Sequence, residues 1–271
     1  MALKRSSIQS LANNHIALLG IPFDEHSSFL RGPAKAPQLI IDAIESDSAN
    51  FFTESLQNLN EHPSIFWCGE AELDDYFSIS RPISQILSKG AIPFSLGGDH
   101  SVTYPILQAV SQKHGPVSIL HFDAHSDLYD ELDGNKYSHA CPFARIMEEG
   151  LAKTITQVGI RTITQHQLDQ ADRFGVTVNT MKDRNSLKGL NLNGPVYLSF
   201  DMDVLDPAFA PGVSHHEPGG YSTREVLDII QSLDLNVVGL DLVEYNPDRD
   251  INGVTAMVAA KITKELLSLL I

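Results

Sequence analysis

Cysteine is scarce in this chain. Cys68 and Cys141 are the two among 271 residues, and they show no Cys-x-x-Cys spacing. No disulfide framework or thiolate zinc site can be built from them, and a reducing compartment is the expectation. Basic residues are also few: 19 Lys and Arg stand against 34 Asp and Glu, for a formal net charge of -15. Phosphate neutralisation needs clustered Lys and Arg, so nucleic acid is disfavoured as a partner; a small cationic molecule suits the balance better, although acidity also simply aids solubility, the commoner reason for it. Long apolar runs are missing as well. Residues 266–271 are among the longest, far short of the ~20 residues a membrane helix needs. Lys4 and Arg5 are followed by polar residues rather than by the apolar centre of a secretory leader. These absences read as a soluble, cytoplasmic protein without a membrane partner.

Internal repeats, low-complexity tracts and linker-like stretches are lacking too, so residues 1–271 read as one domain. The 42% hydrophobic content suffices for one sizeable core. What is present is a regular alternation of short apolar runs with helix-length amphipathic segments. Strands are expected over 16–22, 64–68, 92–96, 117–122, 155–160, 176–179, 196–200 and 237–242. Helices are expected over 36–46, 78–89, 102–113, 140–149, 165–173, 222–232 and 254–270. Ser222-Thr-Arg-Glu225 has the spacing of a capping box. The alternation predicts an α/β fold with three α-β-α layers around a parallel sheet.

The run His121-Phe-Asp-Ala-His-Ser-Asp127 directly follows an apolar strand and places Asp123, His125 and Asp127 at every second position. In extended backbone these three share one side. Ser199-Phe-Asp201-Met-Asp203 repeats the device, with Met202 expected to face the core, and Gly97-Gly-Asp99-His100 ends a third strand. Carboxylates and imidazoles crowded at buried strand ends repel or stay unsatisfied unless a cation holds them. In open α/β sheets the ligand crevice lies at this carboxyl edge. The pattern points to a pair of divalent metal ions.

Each residue also has a plainer reading. A single Asp often caps a turn, Asp201 and Asp203 could be solvated strand-end residues, and a lone His100 could be a hydrogen-bonded loop residue. None of these accounts for an imidazole between two carboxylates on the same side. The ligand set is rich in oxygen and poor in imidazole, which favours Mn²⁺ or another octahedral ion over structural zinc. Such metal pairs activate water, so hydrolysis is the expected reaction class.

Three stretches carry a resemblance: Gly97-Gly-Asp-His-Ser101, Asp123-Ala-His-Ser-Asp127 and Ser199-Phe-Asp-Met-Asp-Val-Leu-Asp-Pro207. They resemble the three metal motifs of the ureohydrolases, the arginase and agmatinase family, over nearly the whole chain. Gly134-Asn-Lys-Tyr-Ser-His-Ala140 and Val254-Thr-Ala-Met-Val-Ala-Ala-Lys261 look most like plant-type arginases. The resemblance implies an eight-stranded parallel sheet, two Mn²⁺ per subunit and homo-oligomers of three or six subunits. It assigns His100, Asp123, Asp127 and Asp201 to one ion. Asp123, His125, Asp201 and Asp203 go to the other, with Asp123 and Asp201 bridging.

By the same resemblance, Asp127 orients the attacking water and Glu244 holds the guanidinium. His139 passes a proton to the leaving amine from an ordinary pKa of about 6.5. Alone, His139 could be a plain loop histidine and Glu244 an exposed strand-end residue. The implied reaction is hydrolysis of L-arginine to L-ornithine and urea. Agmatine and other guanidino or formimino acids are alternatives, as are a deacetylase-like metal hydrolase and an inactive metal-binding protein. The residues with which animal arginases hold the amino-acid end of arginine are replaced here by Tyr129 and Arg161-Thr-Ile-Thr164. The loop residues Gly212, Ser214, His215, His216 and Glu217 are expected around the mouth of the site, with His215-His216 on the rim rather than on a metal.

Overall fold

In the computed structural model, which describes residues 2–271, all eight apolar runs form strands. They are β1 (Ile16–Gly20), β2 (Ile65–Glu70), β3 (Ile92–Leu96), β4 (Val117–Phe122), β5 (Ala152–Ile160), β6 (Thr177–Thr180), β7 (Pro195–Asp201) and β8 (Asn236–Val243). They form one sheet in the order β2-β1-β3-β8-β7-β4-β5-β6, with every neighbouring pair parallel. The central parallel strands are covered on both faces, which explains why they are largely apolar, whereas the edge strand β6 (Thr-Val-Asn-Thr) is only partly buried.

The helices are α1 (Ala36–Glu45), α2 (Ser80–Ser88), α3 (Thr103–His114), α4 (Pro142–Glu148), α5 (Gln165–Phe174), α6 (Thr223–Ser232) and α7 (Val254–Leu267). They divide between the two faces. Residues of α1, α6 and α7 pack on Leu18, Phe94, Leu120, Leu198 and Leu240. Residues of α2, α3, α4 and α5 pack on Ala17, Leu19, Ile119, Tyr197 and Val243. The strand period of two sorts neighbours such as Leu18 and Leu19 into opposite cores. The capping box at Ser222 forms as expected, and a second joins Thr164 to Gln167 at the start of α5.

The arrangement at the centre of the sheet positions the candidate site. Strands β3, β8, β7 and β4 are consecutive neighbours. Their carboxyl ends therefore deliver His100, Glu244, Asp201 with Asp203, and Asp123 through Asp127 to one place. No helix is long and apolar enough to cross a membrane among the described residues.

Candidate metal centre

After β3 the chain passes through Gly98, where an added Cβ would lie 1.7 Å from the carbonyl oxygen of Phe23. Only glycine allows this approach. Asp99 then caps a 3-10 turn (His100–Val102), accepting from Ser101 N at 3.1 Å. Its other oxygen accepts from His26 N and Ser27 Oγ. Asp99 thus ties the loop after β1 to the site instead of joining the ligands.

His100 and Asp123 are completely buried. His100 Nδ1 lies 3.1 Å from each of Asp123 Oδ2, Asp127 Oδ2 and Asp201 Oδ2, yet it has no hydrogen-bond partner. Neighbouring ligands on an octahedral ion with bonds of about 2.1 Å stand roughly 3.0 Å apart. The spacing and the orphaned nitrogen both fit a metal ion. A second group forms around His125 Nδ1, which is 2.9 Å from Asp203 Oδ2 and 3.4 Å from Asp123 Oδ1. Asp123 faces both groups through its two oxygens. Asp201 contacts the first, while its Oδ1 accepts from Asp203 N at 2.8 Å.

The charges conflict without a cation. Burial and the negative charges of Asp203 and Asp123 push the Asp201 carboxyl well above the usual carboxylate range. Burial also raises Asp203. Asp123 moves the other way, because contacts with His100, His121 and His125 outweigh its burial. Burial opposes the charged form of His100, and the three surrounding carboxylates override it and raise its pKa strongly. What this pocket demands is positive charge.

Each group has a buried support. Ser199 Oγ donates to Asp241 Oδ1 at 2.7 Å, so it accepts from His100 Nε2 at 2.9 Å. In the neutral ring that a metal ion would bind, this puts the His100 Nδ1 lone pair on the side of the carboxylates. Asp241 is held in turn by Thr103 Oγ1 and Tyr197 OH. Across the cluster, Gln157 Nε2 donates to His121 Nδ1 at 3.1 Å, and His121 Nε2 donates to Asp123 Oδ2 at 2.8 Å. Sequence reasoning passed over His121, although it sits two residues before Asp123 and the same alternation places it there. Supports of this kind orient ligands. Ser199→Ala is expected to lower metal affinity about 10–100-fold with an unchanged circular dichroism spectrum, as measured by metal-chelator competition.

His139 and Glu244 meet above the cluster. His139 Nδ1 is 2.9 Å from Glu244 Oε1, and its Nε2 is 2.8 Å from Ser28 Oγ. Glu244 stands in left-handed backbone at φ 63°, and its Oε1 also accepts from His100 N at 2.9 Å. The ordinary pKa expected for His139 is corrected here. Burial works against its charged form, but the bond to Glu244 prevails and raises the pKa to about 9. Because the folded value lies above the unfolded one, the pair stabilises the metal-free fold fully below pH 6.5. That contribution fades as the pH rises through about 9. In NMR titration of the metal-free protein, the His139 ring is expected to titrate near 9 and to move down toward 6.5 in Glu244→Gln.

These residues border a cavity of about 200 Å³ lined by His125, Asp127, Asp201, Asp203, His139 and Glu244. Tyr129, Leu132, Thr162, Thr164 and Gln167 line it too, with Ser28 and His215 also on its boundary. Of the loop residues expected at the mouth, His215 reaches the cavity, and Glu217 Oε1 comes within 3.8 Å of His125 Nε2. Gly212 and Ser214 bond to Thr255 and Asn246 instead. His216 turns away to the carbonyl of Pro211, so the two histidines do not share an ion.

The profile described as Arginase family matches residues 14–268. "Arginase 1, mitochondrial" of Arabidopsis thaliana is 48% identical, over 92% of this chain and 79% of its own length. "Arginase 2, chloroplastic/mitochondrial" of the same plant is 46% identical over the same shares. The solved arginase from Medicago truncatula superimposes with a TM-score of 0.87 at 44% identity, covering 94% of this chain and 87% of that one. These names correct the cytoplasmic expectation, since they point to an organelle. Scarce cysteine does not separate the cytosol from an organelle matrix, since both are reducing. Profile, relatives and fold agree: the chain belongs to the arginase family, binuclear metal hydrolases that act on guanidino compounds.

Proposed function

We propose that the protein hydrolyses L-arginine to L-ornithine and urea, using two Mn²⁺ ions. The observation that carries this reading is the shared cavity: two oxygen-rich ligand groups open onto it beside a buried carboxylate and an imidazole. The plant relatives named as arginases support the choice of substrate. His100, Asp123, Asp127 and Asp201 would hold one ion, and Asp123, His125 and Asp203 the other, with Asp201 placed to share. Bound there, the ions supply Lewis acidity and lower the pKa of water toward neutrality.

The chain's own residues do the remainder. Asp127, turned inward by its left-handed backbone (φ 50°), accepts a hydrogen bond from the attacking water and so orients it. Glu244 is fixed by the His100 amide and binds the guanidinium in attack geometry. His139, which Glu244 holds beside the cavity, delivers a proton to the leaving amine nitrogen. Residues 1–271 act as one catalytic domain. Three or six such subunits assemble, as the family resemblance implies, and light scattering on the purified protein tests that number.

The test of function is urea release from L-arginine and from agmatine after loading with Mn²⁺. Urea from L-arginine in preference is the expected result. Release from agmatine alone would transfer the reading to agmatinase, and no urea from any guanidino compound would overturn it.

A further inference from the structure

The cavity is electrically lopsided. Its lining carries Asp127, Asp201, Asp203 and Glu244 beside His125, His139 and His215, the His139 ring is already held by Glu244, and no Lys or Arg lines it. Arg161, the nearest candidate in the sequence, is consumed by the backbone. Its guanidinium donates to the carbonyls of Gly159, Asp203, Val204, Leu205 and Glu217. A zwitterionic substrate that seats its guanidinium among the acids needs a place for its carboxylate away from them.

The segment that leads into α5 offers one: Thr162, Thr164 and Gln167 line the cavity, and at the start of a helix backbone N–H groups and the helix dipole favour an anion. Gln167 lies in the first turn and is 4% exposed. Its Oε1 accepts from Thr164 N at 3.0 Å and from Thr164 Oγ1 at 3.3 Å, which fixes the sense of the amide. Gln167 Nε2 then carries two donors on a cavity-lining residue and has no protein partner among the described residues. Thr162 adds a hydroxyl to the same lining, and Tyr129 and Leu132 offer apolar surface to an aliphatic stem.

We infer that Gln167 in the first turn of α5, with Thr162 two residues before its N-cap, is the specificity-determining seat for the α-carboxylate of the amino-acid substrate. This rests on the guanidino-hydrolase reading and deepens it: discrimination between an amino acid and its decarboxylated amine comes from neutral amide and hydroxyl donors, not from a cation.

Gln167→Glu separates this role from helix capping. The carboxylate retains the acceptor for Thr164, as in an ordinary Thr-x-x-Glu box, and replaces the free donors with negative charge. In the Mn²⁺-loaded full chain, the expected result is at least a 10-fold rise in KM for L-arginine with kcat within a few-fold. Calorimetry should show the affinity for L-ornithine falling by a similar factor while that for putrescine holds or rises. Thr162→Val, which leaves the cap alone, should weaken L-ornithine several-fold more than putrescine. An unchanged L-ornithine affinity in both variants, or equal losses for both ligands, overturns the inference. Absence of urea from L-arginine with the unmodified chain would strike the proposed function instead, and the two failures are distinguishable.

Discussion

His139→Ala is expected to lower kcat about 10²–10⁴-fold, the usual worth of a positioned general acid, while both metal ions stay bound. The structure supports this separation. His139 approaches Glu244 and Ser28, and neither His100 nor His125 depends on it for position. Steady-state urea production beside metal analysis by mass spectrometry decides the matter. Loss of bound metal in the variant would move His139 from proton transfer to site assembly.

Glu244→Gln is the second large effect. The amide retains an oxygen for the His100 N–H but removes the charge opposite the guanidinium. Truncating one partner of a buried charge pair costs about 2–5 kcal/mol, or roughly 30- to 5000-fold in kcat/KM at 1.36 kcal/mol per decade. The loss should fall on kcat/KM for L-arginine with unchanged metal content. Parallel turnover and metal measurements check it, and a variant with wild-type kcat/KM would remove Glu244 from substrate binding.

The fold was readable because local and global signals agree. Every buried strand is an apolar run, and each stops within a few residues of its expected end. β5 is the largest departure: it starts at Ala152 and not at 155, because Lys153 and Thr154 at its beginning are exposed and break the apolar run. The metal residues were readable for a reason that proved partly different. β4 ends at Phe122, so Asp123, His125 and Asp127 converge through a bent loop, not through strand pleat. Asp127 enters with positive φ, which no spacing rule foresees in a non-glycine residue.

Other parts lay beyond sequence reasoning. Ser28 reaches His139 across 111 residues, and Ser199 reaches Asp241 across 42, with no periodicity to announce either. The pKa of His139 depends on a partner 105 residues away. Gln167 carried a local signal, since Thr164-x-x-Gln167 has capping-box spacing, but nothing local showed that the residue would line a cavity.

The bond between His139 and Glu244 makes substrate entry an exchange. A spherical cation such as potassium would have to evict an imidazolium that already satisfies the carboxylate, and it brings no directional donors in return. A guanidinium arrives as a flat fork of N–H groups matched to two carboxylate oxygens. In the proposed reaction, seating the guanidinium would free His139 to face the leaving nitrogen, so that occupancy and readiness to react would be coupled through one hydrogen bond.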